Sequence, residues 1–526
     1  MKTRLAVVML IAGVIAVYLL RVDDAAGLYK DDAYYLVLAK ALAQGDGYRL
    51  ISSAATPIVP AVPPLYPLLI APVFAIGEAF PGNLFWIKLV SILAMLATGA
   101  LTFRYYYRYR ALDARTAAAI AFLTALTPGL VFLATSTTMP ECVFVCAVLA
   151  AACAVERAAR ETASWRGIAS AALLSTAAML VRSAGVAMIA AGAMVLLRRR
   201  GWRTATVFLL VSLAAYSPWL IYSVAYAPAR AEREAHGGAF VYGYRDLLQS
   251  ASGGGVGESQ PRIGIGDVPR RLANNAASIL LHDAGALIFP AGYRGFDESG
   301  LEVFMLSAAG GLDAGSMGLG WGAVALSIPV TAIVLVGAFA LGRRGYGVAE
   351  WFCLLTIAIV LMVPSRTYRY VLPLAPFAFA YFLIGVRELA SRIRASAGAA
   401  ALRIAAACLA AFLIAEHVAY IWQRLSGSPP WLRDHDEIAR VADFVRDELP
   451  HGPMVSTNPA LLYLLTGRQA VAYVEPLGSN WHRWRSAGIG YAVAFHDVPK
   501  PGPSLGYRPI YESPRLKLWV VQIAAP

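Results

Sequence analysis

Two adjacent carboxylates, Asp31 and Asp32, stand in the run YKDDAYYLVLAKALAQGDGYRL at residues 29–50, with Tyr34 and Tyr35 just behind them. A carboxylate under aromatic cover is a candidate general base. Either aspartate can instead cap a helix running to about Ala43, a purely structural duty. A third carboxylate, Glu141 in Met139-Pro140-Glu141, opens an apolar segment, where the helix dipole alone can account for it. Arg182, Arg366 and Arg369 stand at the ends of apolar runs. Guanidinium groups there can grip a phosphate by paired hydrogen bonds, or reach the headgroups as long side chains do beside any membrane helix. His282, His435 and His496 share no ligand spacing, and the five cysteines all fall inside apolar runs. No cofactor or metal site is predicted, and any metal requirement is left open. A Walker-type loop and a dinucleotide fingerprint are both absent from the sequence.

The elements that must position these groups belong in a membrane. The 526 residues are 59% hydrophobic and 15% charged, with a mean hydropathy of +0.59. Typical globular chains carry about 25% charge. Apolar runs read as spanning helices at 5–20, 84–103, 116–134, 139–155, 167–182, 184–197, 204–226, 319–341, 348–363, 370–386 and 401–422. With the N-terminus inside, the segments assigned to the cytoplasm hold 18 Lys or Arg against four acidic residues in 53 positions. That imbalance accounts for the formal charge of +13, so the basicity is a topological signature and nucleic acid loses its support as a partner.

Residues 63–80 (PPLYPLLIAPVFAIGEAF) are also apolar, but counting them as a span would put Arg104, Arg108, Arg110, Arg115 and Arg198–Arg200 outside. They are read as an interfacial element, with Pro63, Pro64, Pro67 and Pro72 opposing an uninterrupted span. The first run is alternatively a cleaved signal peptide, which leaves the following loop outside all the same. Residues 227–318 form a long outer loop, rich in glycine, with a helix expected from Val268 to about Leu281. After Gly427, Pro429 and Pro430 the pattern changes to α/β: a helix over 435–448, then strand-like runs at 454, 470, 491 and 516. Two units are expected, a transmembrane domain over 1–426 and an extracytoplasmic α/β domain over 427–526.

The run Asp31-Asp32-x-Tyr34-Tyr35, then Ala39, Leu42, Gly45, Gly47 and Tyr48, then Pro63-Pro64-x-Tyr66-Pro67, resembles the first periplasmic loop of GT-C superfamily glycosyltransferases. The likeness is greatest to the bacterial branch related to protein O-mannosyltransferases and lipid A aminoarabinose transferases. It continues through Met139-Pro140-Glu141, Leu180-Val181-Arg182, Ser217-Pro218-Trp219, Arg369-Tyr370-x-x-Pro373-x-x-Pro376 and Leu464-Leu465-Thr466-Gly467-Arg468. The chain departs from its lipid A relatives where they carry an acidic–basic pair before the Pro-Pro: here stand Ala61 and Val62.

The resemblance implies a polytopic α-helical membrane protein of about 11 spans, GT-C-like, with interfacial helices in the first outer loop and a small C-terminal α/β domain. It implies an inverting transfer of a sugar from a polyprenyl-phosphate donor to an outer glycan, lipid or protein. Asp31 would be the base, with Asp32 beside it and Glu141 orienting. Arg182, Arg366 and Arg369 would hold the donor phosphate, and Tyr34, Tyr35 and Tyr66 would line the substrate pocket. The expected setting is a bacterial inner membrane, among its lipids, with the C-terminal domain periplasmic. The rival is a noncatalytic or transporting protein handling lipid-linked sugars, which calls for polar groups at the midplane that the apolar runs mostly lack. An oligosaccharide transferase is disfavoured because no WWDYG-like run occurs.

The topology makes a direct test. In intact cells, over the background of the five native cysteines, a cysteine at Gly254 should react with a membrane-impermeant reagent. One at Arg203 should react only after permeabilisation. The reverse pattern overturns the orientation.

Overall fold

The computed structural model describes residues 2–59, 62–77, 79–160, 164–226, 263–289, 321–343, 345–363, 368–427, 430–473, 477–495, 500–501 and 505–523. Its membrane part is helical. In chain order come α1 (Lys2–Arg21), α2 (Lys30–Gln44), α3 (Leu65–Ile76), α4 (Leu84–Arg104), α5 (Ala114–Ala125), α6 (Pro128–Thr135), α7 (Glu141–Arg160), α8 (Trp165–Val181), α9 (Val186–Arg200) and α10 (Trp202–Ala225). Then follow α11 (Val268–Ser278), α12 (Ala284–Ile288), α13 (Trp321–Arg343), α14 (Val348–Met362), α15 (Ala375–Ile393) and α16 (Gly398–Ser426). Among the described residues, six helices are long and apolar enough to cross a membrane, or seven if α5 and α6 count as one bent span. This count does not confirm the expected eleven or so spans. Shorter apolar helices such as α8, of 17 residues, reach about 26 Å at 1.5 Å per residue.

Two expectations change in detail. The run 116–134 is two helices bent by 47°. Pro128 opens the second, and a residue preceding proline avoids the helical region, so Thr127 takes ψ 114°. Neither Asp31 nor Asp32 caps α2: the N-cap is Tyr29, without a side-chain hydrogen bond, and both aspartates lie in the first turn. The 63–80 element is the 12-residue α3, about 18 Å long against a hydrocarbon core of about 30 Å.

From residue 430 the chain builds a five-stranded sheet. Its helices are α17 (Pro430–Asp447), α18 (Pro459–Thr466) and α19 (Leu477–Ser486). Its strands are β1 (Met454–Ser456), β2 (Val471–Ala472), β3 (Tyr491–Ala494), β4 (Tyr507–Glu512) and β5 (Trp519–Ile523), in the order β2-β1-β3-β5-β4. The first three are parallel; β5 runs antiparallel to β3, and β4 antiparallel to β5. Ile438, Val441, Ala442 and Val445 are the buried face of α17, as their spacing requires. The unexpected strand is β4. Pro509 lies within it, a residue that argues against a central strand, and β4 is the edge of the sheet with a register shift between Pro509 and Tyr511.

This unit packs on the first loop of the membrane part. Ala470 N donates to Ser52 O at 3.0 Å and Gln469 Nε2 to Ile51 O at 2.9 Å. Gly27, with φ +77°, lets the loop pass so close to the buried Leu461 of α18 that a Cβ there would lie 2.6 Å from both Leu461 methyl carbons. Gly27→Ala should therefore lower the thermal unfolding midpoint, combining left-handed strain with overpacking of about 1–3 kcal/mol. Adding Leu461→Ala should recover the steric share. A double variant no more stable than the Gly27→Ala single would reject this contact as the cause.

Candidate active site

The candidate site forms where α2, α7, the end of α8 and the turn before α15 meet. Glu141, the first residue of α7, is fully buried, and its Oε1 accepts from Arg182 Nη1 and lies 3.2 Å from Arg369 Nε. Arg369 Nη2 also donates to Asp31 Oδ2 at 2.9 Å, so one guanidinium bridges two carboxylates. Its Cζ lies 5.3 Å from the ring centre of Tyr29 and 5.7 Å from that of Tyr370; the Arg182 Cζ is 5.5 Å from the same Tyr370 ring. The four ionic groups thus hold two positive and two negative charges in mutual contact. A buried carboxylate needs such compensation, because an isolated charge out of water is very costly.

The two aspartates have opposite environments. The Asp31 side chain keeps 30% of its surface exposed. Asp32 is fully buried and accepts from Gly27 N and Ala33 N, each at 2.9 Å. Burial pushes the Asp32 carboxyl up to about 7, and the neighbouring charge of Asp31 adds to the rise. Both Asp32 oxygens thus serve backbone amides at the turn into α2, and its backbone oxygen also accepts from Thr138 at 3.3 Å.

Of the other expected residues, Arg366 lies outside the described residues. Tyr35 and Tyr66 meet edge-on at 5.5 Å, and they and Tyr34 are buried. An open apolar cleft of about 360 Å³ is lined instead by Leu42, Tyr48, Leu68, Leu180, Trp219 and Tyr222, among others. Tyr48 is held there: its hydroxyl donates to Val62 O at 3.0 Å, and its ring meets Trp219 at 5.5 Å. Leu180 of the cleft and Arg182 of the charged cluster both belong to the end of α8.

A second buried pair escaped the sequence reading. Lys88 Nζ binds Asp23 Oδ1 at 2.9 Å with both side chains out of water, and Ser136 donates to Asp23 Oδ2 at 2.6 Å. These bonds tie the end of α1 to α4 and to the loop that delivers Glu141. A lysine alone inside the run 84–103 was the available signal. Among the described residues no group of three or more His, Cys, Asp or Glu is arranged to hold a metal ion.

Comparison with known proteins agrees with this architecture. Residues 61–222 match the family model described as dolichyl-phosphate-mannose-protein mannosyltransferase. ArnT from Cupriavidus metallidurans in the apo state superposes with a TM-score of 0.58 at 13% identity, covering 100% of this chain and 99% of that one. The same protein bound to undecaprenyl phosphate gives 0.54 at 13% identity, over 99% and 98%. No curated protein sequence matches the chain. The protein therefore shares the fold of these two ArnT structures.

Asp32 makes a pH prediction. Its folded state holds the proton up to about 7, whereas an unfolded aspartate releases it near 4. The folded state thus binds more protons across that window, and its stability falls as pH rises from about 4 to about 7. Asp32→Asn lacks this contribution, so the unfolding midpoint of the variant should gain on the wild type over the same interval. Parallel curves would show that Asp32 does not titrate there.

Proposed function

We propose that the chain is an inverting glycosyltransferase that takes a sugar from a polyprenyl-phosphate donor and passes it to an acceptor hydroxyl outside the membrane. One observation carries this reading: a partly exposed carboxylate, Asp31, shares a guanidinium with a buried glutamate, and the end of α8 that supplies Arg182 to this cluster also lines an apolar cleft. The undecaprenyl phosphate bound to the similar ArnT structure supports a donor of that class. The cleft suits an isoprenoid chain, and Arg369 and Arg182 suit its phosphate.

In the free protein Arg369 is spent on Asp31 and Glu141. An arriving phosphate competes with Asp31 for that guanidinium, which frees Asp31 for the acceptor. The acceptor oxygen then forms a bond to the anomeric carbon while the bond from that carbon to the phosphate oxygen breaks. The acceptor proton passes to Asp31, and the phosphate leaves on the lipid as a stable anion paired with the arginines. Attack opposite the leaving phosphate inverts the centre. Glu141 holds the arginines in place. The excess of Lys and Arg in alternate loops supports an N-terminus in the cytoplasm and a C-terminal unit on the outer side of a bacterial inner membrane. The acceptor is a glycan, lipid or protein of the envelope.

Asp31→Asn should lower turnover about 10²–10⁴-fold while binding of a polyprenyl-phosphate analogue is retained or tightened, since the amide releases Arg369. Arg369→Lys, which keeps charge but loses the planar fork, should weaken that binding, and Arg369→Ala should weaken it further. Full turnover by Asp31→Asn in purified protein supplied with donor and acceptor would refute the mechanism.

A further inference from the structure

Residues 268–288 form one helical element: α11, a π-helical turn at Ile279–Asp283, and α12. Its buried face begins with Arg271, Asn275, Ser278 and His282, four polar residues at helical spacing. A helix on the outside of a protein normally turns an apolar stripe inward. A polar stripe in that place docks the helix by hydrogen bonds, because buried polar groups are paired.

The docking is reciprocal. Asn275 Nδ2 donates to Val360 O at 3.3 Å, Leu361 O at 2.9 Å and Val363 O at 2.9 Å. Val360 and Leu361 stand in the last turn of α14 and Val363 is its C-cap, where a helix leaves carbonyls without intrahelical partners. In the other direction, the Tyr368 hydroxyl donates at 3.1 Å to Ala286 O, in the last turn of α12. The element is itself anchored on three membrane helices. Thr331 of α13 donates to Leu280 O at 2.9 Å, and Phe289 meets Phe382 of α15 and Phe412 of α16 edge-on at 5.9 and 5.7 Å.

We propose that this element places Arg369, with Asn275 and Tyr368 as positioning residues. Asn275 fixes the point where the chain leaves α14, and Tyr368 fixes the residue immediately before Arg369. Arg369 must meet both Asp31 and Glu141 through one rigid, planar fork, so its backbone has little freedom to shift without losing one of them. The consequence for donor binding rests on the proposed function; the placement of the guanidinium does not.

The test uses the full chain purified in detergent, with Tyr368→Phe and Asn275→Ala as variants and a polyprenyl-phosphate analogue as the probe. Structures of the variants by electron cryo-microscopy should show the Arg369 guanidinium moved by about 1 Å or more from Asp31 or Glu141. Tyr368→Phe should weaken binding of the analogue about 3- to 10-fold, and Asn275→Ala about 10-fold or more. In an Arg369→Ala background both losses should shrink below about 2-fold, because the group being positioned is gone. A merely structural role gives equal losses in both backgrounds. That result, or an unmoved guanidinium in both variants, would overturn the positioning. A displaced guanidinium with unchanged binding of the analogue would uphold it and reject Arg369 as the phosphate ligand of the proposed function.

Discussion

The carboxylate of Glu141 has no contact with water, and that single constraint organises the upper half of the molecule. An anion at the start of a buried helix must be compensated, and two arginines from distant parts of the chain converge on one of its oxygens. Arg182 comes from the end of α8 and Arg369 from the turn before α15. Arg369 then reaches Asp31 on α2. Four separate stretches of sequence are thereby fixed to one another by a single buried charge, and the geometry of any reaction at Asp31 depends on it.

The same constraint gives the cluster its chemical potential. Two positive and two negative charges satisfy each other in the free protein, so a phosphate that enters must displace a carboxylate. Glu141 is enclosed, whereas Asp31 is 30% exposed. The exchangeable partner is therefore Asp31, the group that the proposed transfer needs as a base. Asp32, adjacent in sequence, is removed from this exchange because its oxygens are committed to the backbone of the turn. Two residues of one type, side by side, acquire different duties from solvent access alone.

The C-terminal unit belongs to this arrangement through packing. Leu461 occupies the space over Gly27, and the backbone of residues 51–53 receives hydrogen bonds from Gln469 and Ala470. The loop that presents Asp31 and Asp32 is thus pressed between the membrane helices and α18. Below it, Asp23 and Lys88 anchor the same loop to α4.

The sequence by itself determined the membrane character, the gathering of basic residues in alternate loops and the residue types of the charged cluster. These properties are local or additive: hydrophobic runs, charge counts and helix periodicity are read without knowing what touches what. The buried face of α17 and the short α3 were legible for that reason. Tertiary structure alone decided which aspartate faces the solvent, that Glu141 serves both arginines, and that a lysine in an apolar span meets Asp23. It also decided that an edge strand could accommodate Pro509. The ion pairs among these outcomes depend on partners tens to hundreds of residues away, and the cost of an unpaired buried charge is settled only when the partner arrives.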